Sequence, residues 1–184
     1  MPDVDALLRS TGAVLEGHFR LTSGRHSSVY VEKFRIMEDP AATTALCGMI
    51  ADHFRNSGAT LVVGPAMGGV ILAYETARQL GLHAIFAEKD GKGGLMFDRG
   101  FEVKPGQPVL VVDDVLTTGG SVRQVLSLLS DAGAKVVGVG FLIDRTNGAV
   151  DFGVPFYACH AMQVESFAPD ACPLCAQGLP LVET

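Results

Sequence analysis

Apolar and polar residues follow two different periods along this chain, and the switches between them mark out its elements. "DVDALLRSTGAVL" sets Val4, Leu7, Leu8, Val14 and Leu15 at roughly helical spacing and predicts a short amphipathic helix. "SSVYVEKF" then runs with period two, Val29, Val31 and Lys33 against Tyr30 and Glu32, which predicts a strand. "EDPAATTALCGMIADHFRNSG" returns to the helical period. Asp39 can cap its start, Pro40 suits the first helical position, Leu46, Met49, Ile50 and Phe54 share one face, and Gly58 can end it.

From there strands and helices alternate. "TLVVG" reads as a short buried strand, and "GGVILAYETARQLG" as a helix stopped by Gly81. "HAIFA" and "VLVVD" read as strands, "SVRQVLSLLSDAG" as a helix stopped by Gly133, and "KVVGVGFLID" as a strand. This order predicts an α/β fold with a mostly parallel sheet flanked by helices on both faces. Right-handed crossovers bring the loops that follow the strands to one edge, where open α/β sheets bind ligands. Three loops arrive there with unusual composition: "GPAMGG", "DDVLTTGG" and "DRTNG".

Size and charge narrow the function. A chain of 184 residues, 48% of them hydrophobic, fits a single domain spanning 1–184. It has no apolar run of about 18 residues, so no membrane partner is expected. "MPDVDALLRS" is acidic and lacks the order of a signal peptide, so a cytoplasmic location is expected. A net charge of −6 argues against nucleic acid as a partner, yet leaves room for an anionic small molecule at a local positive site. Cys47 lies in a helical stretch and reads as a small core residue. Cys172 and Cys175 have the spacing of half a zinc site, which Cys159 and His160 could complete as a Cys3His set. A clean two-plus-two spacing is missing, so the favoured reading is reduced thiols packing a C-terminal turn.

The chemistry concentrates in "VLVVDDVLTTGGS". Thr117, Thr118, Gly119, Gly120 and Ser121 stand where the next helix begins, and free amides with the helix dipole favour a phosphate there. Asp113 and Asp114 suit neutral hydroxyls, such as those of a ribose. The stretch reads as a cradle for a sugar 5-phosphate. It resembles the phosphoribosyl pyrophosphate (PRPP) signature of type I phosphoribosyltransferases: an apolar strand, two acids, two apolar residues, then Thr-Thr/Ala-Gly-x-Ser/Thr. "GPAMGG" lies where that family places its pyrophosphate loop, which implies diphosphate binding by Ala66, Met67, Gly68 and Gly69. Magnesium is the implied cofactor, held through substrate oxygens and water rather than directly by the protein.

"EGHFRLTSGRHSSVY" resembles the opening of orotate phosphoribosyltransferases, Gly-x-Phe-x-Leu-x-Ser-Gly-x-x-Ser, at Gly17, Phe19, Leu21, Ser23, Gly24 and Ser27. "CPLCAQGLPL" resembles the C-terminus of a bacterial branch of that family. The resemblance implies the type I fold with a small N-terminal hood built from about residues 1–35 and the C-terminal segment. It implies orotate contacts from Tyr30, Val31 and Thr117, and a grip on the orotate carboxylate by Arg145. It also implies catalysis by Lys89, Lys92, Asp113 and Asp114, and a homodimer in which loop 88–101 acts across subunits. The alternatives are a purine or uracil phosphoribosyltransferase, or a non-catalytic PRPP-binding regulator. Four positions depart from the pattern: Glu88 replaces an arginine, Gly94 a histidine, Gly68 a lysine and Thr22 a lysine. Arg99 or Lys104 could replace the missing charge.

Overall fold

The computed structural model describes residues 3–21, 23–146 and 148–184. Ten strands and six α-helices are found among them: α1 Val4–Ser10, β1 Val14–Arg20, β2 His26–Val31, α2 Phe34–Met37, α3 Pro40–Phe54, β3 Leu61–Pro65, α4 Gly68–Leu80, β4 His83–Lys89, β5 Leu95–Met96, β6 Pro108–Leu116, α5 Gly120–Asp131, β7 Lys135–Asp144, β8 Phe156–Ala161, β9 Ser166–Phe167, α6 Pro173–Ala176 and β10 Val182–Glu183. The main sheet has the order β5-β4-β3-β6-β7-β8, parallel throughout except for the β4–β5 pair.

Alternation along the central strands divides the apolar side chains between two cores, one on each face. Val62, Leu110, Val112 and Leu142 pack with Leu46, Ile50, Phe54 and Leu72 of α3 and α4. Leu61, Val63, Val109, Val111 and Phe141 pack with Val122, Val125 and Leu129 of α5. Burial on both faces is what makes these strands read as continuous apolar runs.

The helix signals act as expected at most ends. The Asp39 carboxylate accepts from the Ala41 and Ala42 N–H groups at 2.9 and 3.2 Å, with Pro40 following it. The Gly81 N–H donates to the carbonyls of Ala77 and Arg78 and ends α4. Helix α3 stops at Phe54, four residues before the expected Gly58. The first helix is also shorter than its apolar spacing predicts. It ends at Ser10, and Val14 and Leu15 belong to β1. There they pair with Val31 and Tyr30.

A second sheet, β10-β1-β2-β9, stands apart from the first in pairing. Its centre is the β1–β2 hairpin, and its two outer strands come from the C-terminal segment. Between Glu16 and Phe19 strand β1 carries one more residue than β2, a β-bulge. Among the described residues no helix is long and apolar enough to cross a membrane.

Candidate active site

The carboxyl ends of β3, β6 and β7 converge with the end of β2 on a cavity of about 300 Å³. Tyr30, Val31, Ala66, Met67, Gly68, Asp113, Asp114, Thr117, Ser121 and Arg145, all singled out in the sequence, line it. Lys33 lines it too, and no motif pointed to it. Its neighbours suggested strand alternation, but β2 ends at Val31 and Lys33 stands at the start of α2.

Strand β6 runs on through both acids, so Asp113 and Asp114 are held by the sheet rather than by a loop. Asp114 is 4% exposed. Its Oδ2 pairs with Lys33 Nζ at 2.8 Å, and its Oδ1 accepts from the Val115 N–H at 2.7 Å. The Asp113 carboxylate accepts from the Asp114 N–H at 2.9 Å. Burial first, and then repulsion by Asp114, raise Asp113 well above the ordinary carboxylate range; that amide and Lys33 oppose the rise. Gly68 faces the same carboxylate: a Cβ at 68 would collide with Asp114 Oδ2.

Helix α5 begins beside the acids. Gly119 caps it in the left-handed region, φ 74°, and no side chain satisfies the first turn. The Arg123 N–H is already bonded to the Gly119 carbonyl at 2.9 Å, which leaves the amides of Gly120, Ser121 and Val122 ahead of it without intrahelical acceptors. The Ser121 side of this turn faces the cavity. Thr118 lies on a neighbouring cavity of about 530 Å³.

Tyr30, Thr117 and Arg145 line both cavities and so form the seam between them. The Asp144 carboxylate accepts from the N–H and the hydroxyl of Thr146, both at 2.7 Å, which closes the turn after β7 under Arg145. Arg145 Nε is buried with no hydrogen-bond partner. Burial lowers the Arg145 pKa and nearby Tyr30 opposes this. A buried guanidinium donor without an acceptor is a strong recognition element for a planar anion.

The expected loop 88–101 is partly a hairpin. Lys89 is the last residue of β4, and Glu88 and Lys89 pair with Met96 and Leu95. Lys89 lines a third cavity, of about 440 Å³, with Pro65, Ala66, Gly94 and Ser121 of the same chain. Lys92 sits at the hairpin tip, its N–H held by Asp90 at 2.7 Å, and lines none of the three cavities. Arg99, one of the two residues that could replace the missing charge, pairs with Glu88 at 2.9 Å and lies over the Phe86 ring. Lys104 belongs to a turn closed by Gln107 and lines none of these cavities. Gly69 lies behind the site, where a Cβ would meet the Pro65 ring at 2.7 Å. Thr22, and Asn147 of "DRTNG", fall outside the described residues.

The Cys3His set is not assembled. The Cys159 thiol donates to the Leu46 carbonyl at 3.3 Å, and burial pushes it up to about 12. Among the described residues neither Cys159 nor His160 joins a group of metal-ligating side chains.

Residues 35–168 match the model of the phosphoribosyl transferase domain. An orotate phosphoribosyltransferase of Chlorobium phaeobacteroides is 49% identical over 98% of this chain and 93% of its own length. One of Pelotomaculum thermopropionicum is 48% identical over 98% of this chain and 95% of its own length. The crystal structure of the orotate phosphoribosyltransferase from Aeropyrum pernix superposes with a TM-score of 0.75 at 28% identity, covering 86% of this chain and 93% of that one. A two-acid strand feeding an uncapped helix, a glycine loop beside it and close relatives along nearly the whole length agree: the chain belongs to the phosphoribosyl transferase family, among the orotate phosphoribosyltransferases.

Proposed function

We propose that this chain transfers ribose 5-phosphate from PRPP to N1 of orotate, giving orotidine 5′-monophosphate and pyrophosphate. The observation that carries the choice of acceptor is Arg145. Its buried Nε lacks a partner at the seam of the two cavities, and a pyrimidine carboxylate supplies one. Tyr30 and Val31 flank the ring, with Thr117 opposite.

The free amides of Gly120 and Ser121, with the Thr117 and Thr118 hydroxyls, take the 5-phosphate. Asp113 and Asp114 accept hydrogen bonds from the ribose hydroxyls. The Ala66–Gly69 backbone faces the diphosphate. With Gly68 in place of a lysine, Lys33 is the ammonium nearest this loop in the cavity lining, and it both holds Asp114 and balances the departing charge. One preorganised charge at such a position is worth about 3–4 kcal/mol in rate. Lys89 serves the same charge from the adjoining cavity. The anomeric carbon becomes cationic as pyrophosphate leaves, and N1 of orotate attacks it; no covalent enzyme nucleophile is needed. Magnesium, when bound, neutralises diphosphate oxygens. The cavity suits a metal carried by substrate, because its two carboxylates are engaged by Lys33 and by backbone amides.

The whole chain acts as one catalytic domain, with the hood as its lid over the base. A homodimer is supported by an exposed stripe at helical spacing, Met67, Ile71 and Tyr74, which starts at the site and runs along α4. Lys92, at a hairpin tip away from its own cavities, is the residue placed to reach a partner subunit.

Incubation with PRPP, orotate and Mg²⁺ should remove the orotate absorbance band. Arg145→Lys should raise KM for orotate by about ten- to a hundredfold, as expected for a lost charge-assisted bond, and leave the affinity for PRPP unchanged. Turnover of a purine instead of orotate would overturn the acceptor assignment.

A further inference from the structure

Four side chains that the reaction does not use meet in the hood: His18, His26, Cys172 and Cys175. They come from three places, β1, β2 and the start of α6. Their donor atoms all lie within 4.8 Å of one another. His18 Nε2 is 3.0 Å from His26 Nδ1 and 3.5 and 3.7 Å from the sulfurs of Cys172 and Cys175, and His26 Nδ1 is 3.3 Å from Cys175 Sγ. A tetrahedron with metal–sulfur bonds of about 2.3 Å and metal–nitrogen bonds of about 2.0–2.1 Å has edges of roughly 3.4–3.8 Å. The four atoms already stand close to those corners.

We propose that His18, His26, Cys172 and Cys175 bind a structural zinc ion that fastens the C-terminal segment to the β1–β2 hairpin. The local structure is built for it. Arg20 pairs with His26, and His18, two residues before Arg20 on β1, therefore shares the face of His26. Cys172 caps α6 and Cys175 lies in its first turn, so the short Cys-x-x-Cys spacing offers both sulfurs to one point. The Leu179 carbonyl accepts from His18 Nδ1 at 2.9 Å, which fixes the proton there and leaves the Nε2 lone pair for the metal.

Charge points the same way. His18 and His26 are 3% and 5% exposed, and Cys172 is also buried. Two neutral imidazoles, two thiolates and a divalent ion sum to zero, so no net charge is left buried. Two nitrogens and two sulfurs in a tetrahedron select zinc among the common divalent ions. Four protein ligands leave no open position, which makes the role structural rather than catalytic. The site lies four residues along β2 from Tyr30, about 13 Å at strand rise. It therefore braces the hairpin that covers the base without touching the substrate.

The assignment does not rest on the reaction proposed above, and it is tested without turnover. Protein made with zinc supplied and purified without chelator should carry about one zinc per chain. The Cys172→Ser/Cys175→Ser variant should lose it, while Cys47→Ala and Cys159→Ser should keep it. Cobalt-loaded wild-type protein covers the case in which the double variant fails to fold. It should show a thiolate charge-transfer band and the intense visible bands of tetrahedral cobalt. X-ray absorption should give two sulfur and two nitrogen neighbours. Removal of the metal should lower the thermal unfolding midpoint. Absence of stoichiometric metal after zinc supply, a Cys172–Cys175 disulfide in fresh protein, or zinc retained by the double variant would overturn the proposal.

Discussion

Ionising Asp113 costs this chain more than ionising an exposed aspartate, because burial and the neighbouring Asp114 both oppose the charge. A carboxyl raised in the folded state stabilises the fold fully below the unfolded value of about 3.9 and loses that contribution as pH rises through its higher folded value. Asp113→Asn should therefore flatten the fall in stability between mildly acidic and neutral pH, measured as urea midpoints across that range; an unchanged slope would mean the carboxyl is not raised. The two acids and Arg145 were legible in the sequence because each sits in a recognisable strand-to-loop context. Lys33 was not, since its partner Asp114 lies 81 positions further on and only the fold brings the two within 2.8 Å. Nor could a pattern of letters show that Gly68 makes room for the Asp114 carboxylate, so its lost lysine looked like a defect.

The turn from β6 into α5 carries both acids on its strand side and the free amides on its helix side. Gly119 makes this possible. At φ 74° a side chain costs about 1–2 kcal/mol in backbone terms, and a Cβ there would also meet the Phe152 ring at 2.9 Å. Gly119→Ala should lower stability by at least that amount and weaken PRPP binding, read by chemical denaturation and by titration with PRPP. Strand β7 was read at both of its ends because it is long and apolar on both faces. Strand β8 was missed for the opposite reason: most of it is half-buried, and its Cys159 and His160 looked like chemistry rather than structure. Strands β5, β9 and β10 are two residues each and carry no period to read. Lys89 was assigned to a loop because the "HAIFA" pattern fades before the strand does.

At the scale of the whole molecule, the main sheet lines the first cavity with its carboxyl edge, and the small sheet borders it through Tyr30 and Val31. No local period in the sequence shows the small sheet, because it is assembled from segments far apart along the chain. The exposed stripe on α4 belongs to this scale. Tyr74 is 67% exposed, so Tyr74→Glu should leave the fold intact and shift the sedimentation of a dimer toward the monomer. An unchanged sedimentation profile would place the interface elsewhere. The β1–β10 pairing also acts at this scale, because Val182 and Glu183 cover the edge of β1 at Phe19 and Arg20. With Val182–Thr184 removed, that edge would offer unpaired amides and carbonyls to other molecules. Light scattering should then show the shortened protein self-associating at concentrations where the parent does not.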